Sequence, residues 1–171
     1  EVPTEIPRPG TPLLDIVRWA RTIRGSIVIL VHPLPFLWRG QLRRMAEANL
    51  LPDAIETRFP FAGWRSRGIE RAADQYELAK LGGSDSHLMP SQLGQYVTQF
   101  PGETREDLIR AIHERTTRAI ARPARARVPA QVYGLQSIYS WLLPFNRLPF
   151  VKKARTQLLH RARAVIAERE A

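Results

Sequence analysis

The chain has no cysteine. No disulfide, thiolate nucleophile or thiolate metal site is available to it, and a reducing, cytoplasmic compartment is the expectation. Histidine is scarce as well: His32, His87, His113 and His160 are all there are, so an imidazole-based metal site has few positions to draw on. No apolar run is long enough to span a bilayer as a helix, and no signal peptide is recognisable. No internal repeat is visible. Acidic residues nearly vanish from the C-terminal part: residues 118–171 hold 11 Lys or Arg against 2 Asp or Glu, whereas residues 1–117 hold 15 against 14. The net charge of +10 is therefore a property of the tail, and the split points to two regions with different jobs. The chain begins at Glu1, which leaves open a fragment, a trimmed form or a processed product.

What is present suffices for one folded domain. The chain has 171 residues, of which 44% are hydrophobic and 25% charged, ordinary values for a globular protein with a sizeable core. Residues 1–10 are proline-rich and extended. Thr11 and Pro12 read as helix cap and first helical residue, and Leu13, Ile16, Val17, Ala20 and Ile23 follow at helical spacing. Gly25 ends that helix. Ser26 to Val31 is a continuous β-branched run, the pattern of a strand buried on both faces. Gln41 to Ala48 reads as a helix and Asp53 to Thr57 as a strand. Ile69, Ala72, Ala73, Tyr76 and Ala79 mark a further helix, Leu81 to Ser84 a short strand, and Tyr96 to Phe100 another. Thr104 caps a helix carrying Leu108, Ile109 and Ile112, with Asp107 completing a capping box. Strands alternating with helices imply parallel β-α units, in a layered or barrel α/β fold.

Three polar signals fall at the C-terminal ends of predicted strands: His32, Glu56, and the pair Asp85 and His87. In parallel α/β folds that rim collects functional groups, because the loops converge there. Imidazoles and carboxylates meeting in one place suit Zn²⁺, Mn²⁺ or Fe²⁺. Gly82-Gly83 just before Asp85 permits a sharp turn and a close approach of backbone to a site. Each signal also has a plain alternative. A His-Pro after a strand is commonly a turn, Asp-x-His occurs often by chance, and a carboxylate such as Glu56 can instead cap a helix or bind an arginine.

The pieces also resemble a known family. Val31-His32-Pro33 after an apolar strand resembles the third motif of the PHP (polymerase and histidinol phosphatase) metal-dependent phosphoesterases. Asp53 to Glu56 resembles the short strand that follows it, and Gly82-Gly83-Ser84-Asp85-Ser86-His87 resembles the fourth motif. Leu93-Gly94, Val97-Thr98, Phe100-Pro101-Gly102 and Leu108 to Ile112 resemble the family's continuation, so that residues 12–117 are similar to its C-terminal half. The resemblance implies the later part of a distorted, TIM-like barrel of seven β-α units, with phosphoesters hydrolysed at two or three divalent metal ions (Zn, Mn or Fe). It implies His32, Asp85 and His87 as metal ligands converging on one rim, with Glu56 as a further ligand or a supporting group. The substrate would be a phosphorylated small molecule or a nucleotide. The family's first motif, His-x-His, is absent here, as are the second-motif Thr-Asp-His and its following glutamate. Arg67 stands where many relatives have asparagine. At most half a metal cluster is therefore expected from this chain, and little activity from it alone.

Residues 118–130 read as a linker, rich in arginine and proline, and residues 131–171 as a basic helical tail. Two helices are expected there, broken between Pro144 and Pro149, the second turning Val151, Ala154, Leu158, Ala162 and Val165 to one side. That tail could pack as structure. It could also contact an anionic membrane through Tyr133, Tyr139, Trp141, Leu142, Leu143, Phe145 and Phe150 with Lys152, Lys153 and Arg155, or nucleic acid through phosphates. Two functional classes follow: a metal-dependent phosphoesterase, or a non-catalytic fragment whose tail docks on a polyanion.

Overall fold

The computed structural model describes residues 6–33, 37–60, 66–86, 93–122, 131, 134–135, 138, 142 and 148–170. Two compact units divide the chain, one made of Glu1–Gly83 and Tyr96–Ala121, the other of Ser84–Gln95 and Arg122–Ala171.

In the first unit, helix α1 (Leu13–Arg21) leads to strand β1 (Ile29–Leu30), helix α2 (Trp38–Glu47) and strand β2 (Ala54–Arg58). Helix α3 (Ser66–Gln75) and strand β3 (Ala79–Gly82) follow, then strand β4 (Tyr96–Gln99), helix α4 (Arg105–His113) and strand β5 (Arg118–Ala121). Strands β1, β2 and β3 form a parallel sheet in that order. The predicted mixed α/β class is observed. The last two strands depart from it, because β4 and β5 pair antiparallel, with Tyr96 opposite Ala121 and Gln99 opposite Arg118. Arg118–Ala121, read from sequence as the start of the linker, is thus a strand. Its arginine and alanines carry little strand signal, and the pairing partner β4 supplies the order.

The faces of the parallel sheet follow from strand alternation. Ile55 packs with Trp38, Leu42, Ile69 and Ala73, so α2 and α3 cover one face. Its neighbour Ala54 packs with Ala79, Leu81 and Ile112, with Leu108 against them, so α4 lies on the other. Among the described residues the sheet is open and layered with helices, and no closed barrel is formed. Among the described residues β1 lies at one edge of this sheet, and the expectation of burial on both faces fails there: Ile29 is 40% and Val31 47% exposed. A β-branched run specifies a strand but not what covers it.

Polar contacts fix the start of the sheet. Arg21, in the last turn of α1, donates to both carboxylate oxygens of Asp53 at 2.9 and 2.8 Å and to the Leu51 carbonyl at 2.8 Å. Asp53 Oδ2 also accepts the Val28 N–H at 2.7 Å. One carboxylate thereby ties α1 and the approach to β1 onto the entry of β2, a charge-assisted arrangement stronger than neutral hydrogen bonds. The α1 start differs slightly from expectation. Pro12 is the N-cap, with the helix from Leu13, because the Thr11 hydroxyl donates back to the Arg8 carbonyl at 2.8 Å. Ala79, assigned by periodicity to the preceding helix, opens β3 instead. The chain turns at Glu77, whose φ of +53° ends the helical path.

β3 meets β4 at Gly82. Its N–H donates to the Thr98 hydroxyl at 3.0 Å, and that hydroxyl donates to the Gly82 carbonyl at 3.2 Å. A Cβ at position 82 would fall 2.5 Å from the Val97 carbonyl oxygen, and backbone cannot swing aside as a side-chain tip can. Gly82→Ala is expected to destabilise the first unit by about 1–3 kcal/mol, the usual cost of overpacking, read as a lower urea midpoint.

The capping box at α4 forms as the sequence predicts. Thr104 Oγ1 accepts the Asp107 N–H at 3.1 Å, and Asp107 Oδ2 accepts the Thr104 N–H at 3.1 Å. The Thr104 hydroxyl, then the Thr104 and Glu103 N–H groups, hold the Asp107 carboxyl down from 3.8 to about 2. A carboxyl depressed by folding stabilises the fold above its unfolded pKa and loses that contribution as pH falls through its folded pKa. Stability should therefore drop between about pH 4 and pH 2, and Asp107→Asn should flatten that part of an acid-unfolding profile.

In the second unit, helix α5 (Pro149–Glu170) carries the tail. Val151 and Ala162 are buried, Ala154, Leu158 and Val165 are half-buried, and Lys152, Lys153, His160, Arg161 and Arg163 are exposed. The stripe expected from three- and four-residue spacing is the covered side. Gln131, Gly134, Leu135, Ile138 and Leu142 are helical. Most of the expected break, residues 143–147, lies outside the described residues, as do Tyr133, Tyr139 and Trp141. Among the described residues no helix is long and apolar enough to cross a membrane.

Candidate functional site

His32 lies two residues beyond the C-terminal end of β1. Its backbone is left-handed, with φ +28°, a conformation that is uncommon for a residue with a side chain, although histidine is among those enriched in it. The Glu56 carboxylate secures the turn: Oε2 accepts the His32 N–H at 2.6 Å. Glu56 sits on β2, the strand paired with β1. This short bond helps offset a backbone strain of order 1–3 kcal/mol.

The same carboxylate reaches the end of β3. A Cβ placed on Gly83 would lie 1.9 Å from Glu56 Oε1, so the absence of a side chain at 83 is what leaves room for the carboxylate. Glu56 therefore links all three parallel strands: it grows from the middle of β2, holds the turn after β1, and fits against the residue after β3. Sequence reasoning had weighed a ligand role, a helix cap or an arginine pair for it. The bond it accepts from a backbone N–H across the sheet has no one-residue signature. The glycine pair at 82 and 83 was the available hint.

Of the four expected site residues, the structure brings His32 and Glu56 together. Asp85, with φ +44°, follows β3 and belongs to the second unit. His87 lies outside the described residues. Among the described residues, no group of three or more His, Cys, Asp or Glu side chains is arranged to hold a metal. His113 is exposed in the last turn of α4, and His160 is exposed on α5.

A cavity of about 620 Å³ opens in the first unit, lined by Thr57, Asp74, Lys80, Arg115, Thr117 and Arg118 among others. Thr57 and Thr117 are buried there, and their hydroxyls have no hydrogen-bond partner among the described residues. The charged side chains are largely neutralised within the lining, with Lys80 paired to Asp74 at 2.6 Å and Arg115 to Glu77 at 3.1 Å. This cavity was not anticipated from sequence, since its residues come from separate elements with no shared spacing.

The described elements define a mixed α/β protein with an imidazole-bearing turn just beyond the C-terminal end of β1, a region where α/β folds gather ligands, held by a carboxylate from the adjacent parallel strand β2. Residues 65–117 match the family model described as PHP-associated, consistent with the C-terminal portion of a PHP-domain protein. The match covers less than a third of the chain, from the start of α3 to the residue before β5, and includes Asp85 and His87 but not His32 or Glu56. No curated protein and no solved structure matches the chain.

Proposed function

We propose that this chain is the C-terminal portion of a metal-dependent phosphoesterase, with His32, Asp85 and His87 as ligands and Glu56 as the group that positions His32. The observation that carries this reading is the PHP-associated match over residues 65–117, which spans the Gly82-Gly83-Ser84-Asp85-Ser86-His87 turn. The His32 turn, latched by Glu56 at 2.6 Å, supports it from outside the matched region. Imidazole nitrogens and a carboxylate form a donor set that suits Zn, Mn or Fe. When bound, the metals would supply a water acidic enough to attack a phosphoester at neutral pH and would offset charge on the phosphoryl oxygens.

The remaining ligands, in this reading, would come from a segment N-terminal to Glu1, and further strands along the edge of β1, which has no partner strand on that side among the described residues, would extend the sheet toward a barrel. The substrate class is a phosphorylated small molecule or a nucleotide. Hydrolysis of a generic phosphoester with added Mn²⁺ or Zn²⁺ tests the reading on two proteins, residues 1–171 and the same chain with its upstream coding sequence. The longer protein should turn over and the shorter should not. Equal inactivity of both, with metal present, would favour the non-catalytic alternative.

A further inference from the structure

The basic face of α5 is not used by the phosphoesterase reading. Between Phe150 and Ala167 the helix has no acidic residue, while it carries Lys152, Lys153, Arg155, Arg161 and Arg163. Its apolar stripe is already covered at Val151 and Ala162, so what α5 presents to solvent is an arc of cations. Lys152, Lys153, His160, Arg161 and Arg163 are all exposed.

At the N-terminal end of that arc two large apolar side chains are exposed as well. Phe150 is 69% and Leu148 42% exposed. Neither belongs to the covered stripe. Phe150 stands one turn or less from Lys152 and Lys153 on a 3.6-residue helix, so an aromatic ring and two ammonium groups share one end of the helix. A solvated charged face needs no exposed phenylalanine. A face that docks on a lipid surface uses both, the ring entering the acyl boundary and the cations meeting anionic headgroups.

We infer that α5 docks on an anionic lipid bilayer by its N-terminal end, with Leu148 and Phe150 entering the acyl boundary and Lys152 and Lys153 against the headgroups around them. The occupant follows from charge complementarity and from the apolar pair. Duplex nucleic acid would be served by the cations alone, since its stacked bases offer little to an exposed phenylalanine and leucine; single strands stack on aromatic rings but leave the leucine unused. Binding is peripheral, since α5 is basic along its length, and it would hold the first unit near a membrane whatever that unit's activity. The inference does not rest on the phosphoesterase reading.

Co-sedimentation of residues 1–171 with vesicles tests it. One set is phosphatidylcholine alone and the other contains phosphatidylserine. The protein should pellet with the second set, not with the first, and should be released at high salt. Each basic residue near an anionic surface contributes a factor of about five in affinity, so the double variant Lys152→Gln, Lys153→Gln should bind about 30-fold more weakly. Phe150→Ser should weaken binding by about tenfold or more. Both changes are at exposed positions, and an unchanged melting temperature confirms that the fold is intact. Duplex and single-stranded DNA of matched charge are the competing probes, and tighter binding to either than to the anionic vesicles counts against lipid. Failure to pellet with the anionic vesicles, equal pelleting with neutral vesicles, or preference for either DNA would each overturn the inference.

Discussion

His87→Ala, made in a protein that carries both this chain and its upstream segment, is expected to lower metal-dependent phosphoester hydrolysis by more than about 100-fold. Outer-shell partners of metal ligands already cost about 10- to 100-fold when removed, and a direct ligand should cost more. The reasoning rests on the proposed ligand set. His32 and His87 are the two imidazoles that the motifs place at strand ends, and no cysteine exists to replace either. His113→Ala is the matched control, since His113 is exposed on α4, and it should leave the rate within about twofold, as surface changes away from a site usually do. Thermal melting of both variants separates loss of chemistry from loss of fold. A His87→Ala enzyme as active as its parent would remove His87 from the site.

The largest effect on stability is expected at Ile55. It is fully buried on β2 and packs among Trp38, Leu42, Ile69 and Ala73, so it bonds the sheet to both α2 and α3. Ile55→Ala should cost about 2–5 kcal/mol, from lost burial and from the cavity left behind. Domains of this size are typically stable by only about 5–15 kcal/mol, so the variant should be partly unfolded at modest urea. By contrast Ile29→Ala, one strand over and 40% exposed, should change stability far less. Urea denaturation followed by tryptophan fluorescence measures both. Equal losses at the two positions would mean that the cluster around Ile55 does not hold this unit together.

Much of this was legible in the chain, and where reading failed the reasons differ. The capping box at Thr104 and Asp107 was readable because its chemistry is local, with donor and acceptor three residues apart. The covered stripe of α5 was readable because helical spacing alone sets it. β5 was not, because Arg118–Ala121 has no pattern of its own and takes its order from β4. The exposure of Ile29 and Val31 was not, because burial depends on which strand lies at the edge. Ala79 went to the wrong element because alanine suits helix and strand alike, and the deciding residue was Glu77 at positive φ.

The candidate site divides the same way. His32 and Asp85 could be singled out because they follow strand ends in recognisable motifs. The link between Glu56 and the His32 N–H could not, because it joins residues far apart through a main-chain group that every sequence has. Gly83 gains its meaning only from that link, since a side chain there would strike Glu56 Oε1.

The central claim is that this chain supplies part of a divalent-metal site. Its most direct test is the metal content of the purified longer protein, measured by mass spectrometry before and after exchange into Mn²⁺ or Zn²⁺, in parallel with a His32→Ala, His87→Ala double variant. The account predicts more than one bound divalent metal per chain in the parent and a clear loss in the double variant. A parent protein that stays metal-free, or a double variant that keeps its full metal complement, would contradict it.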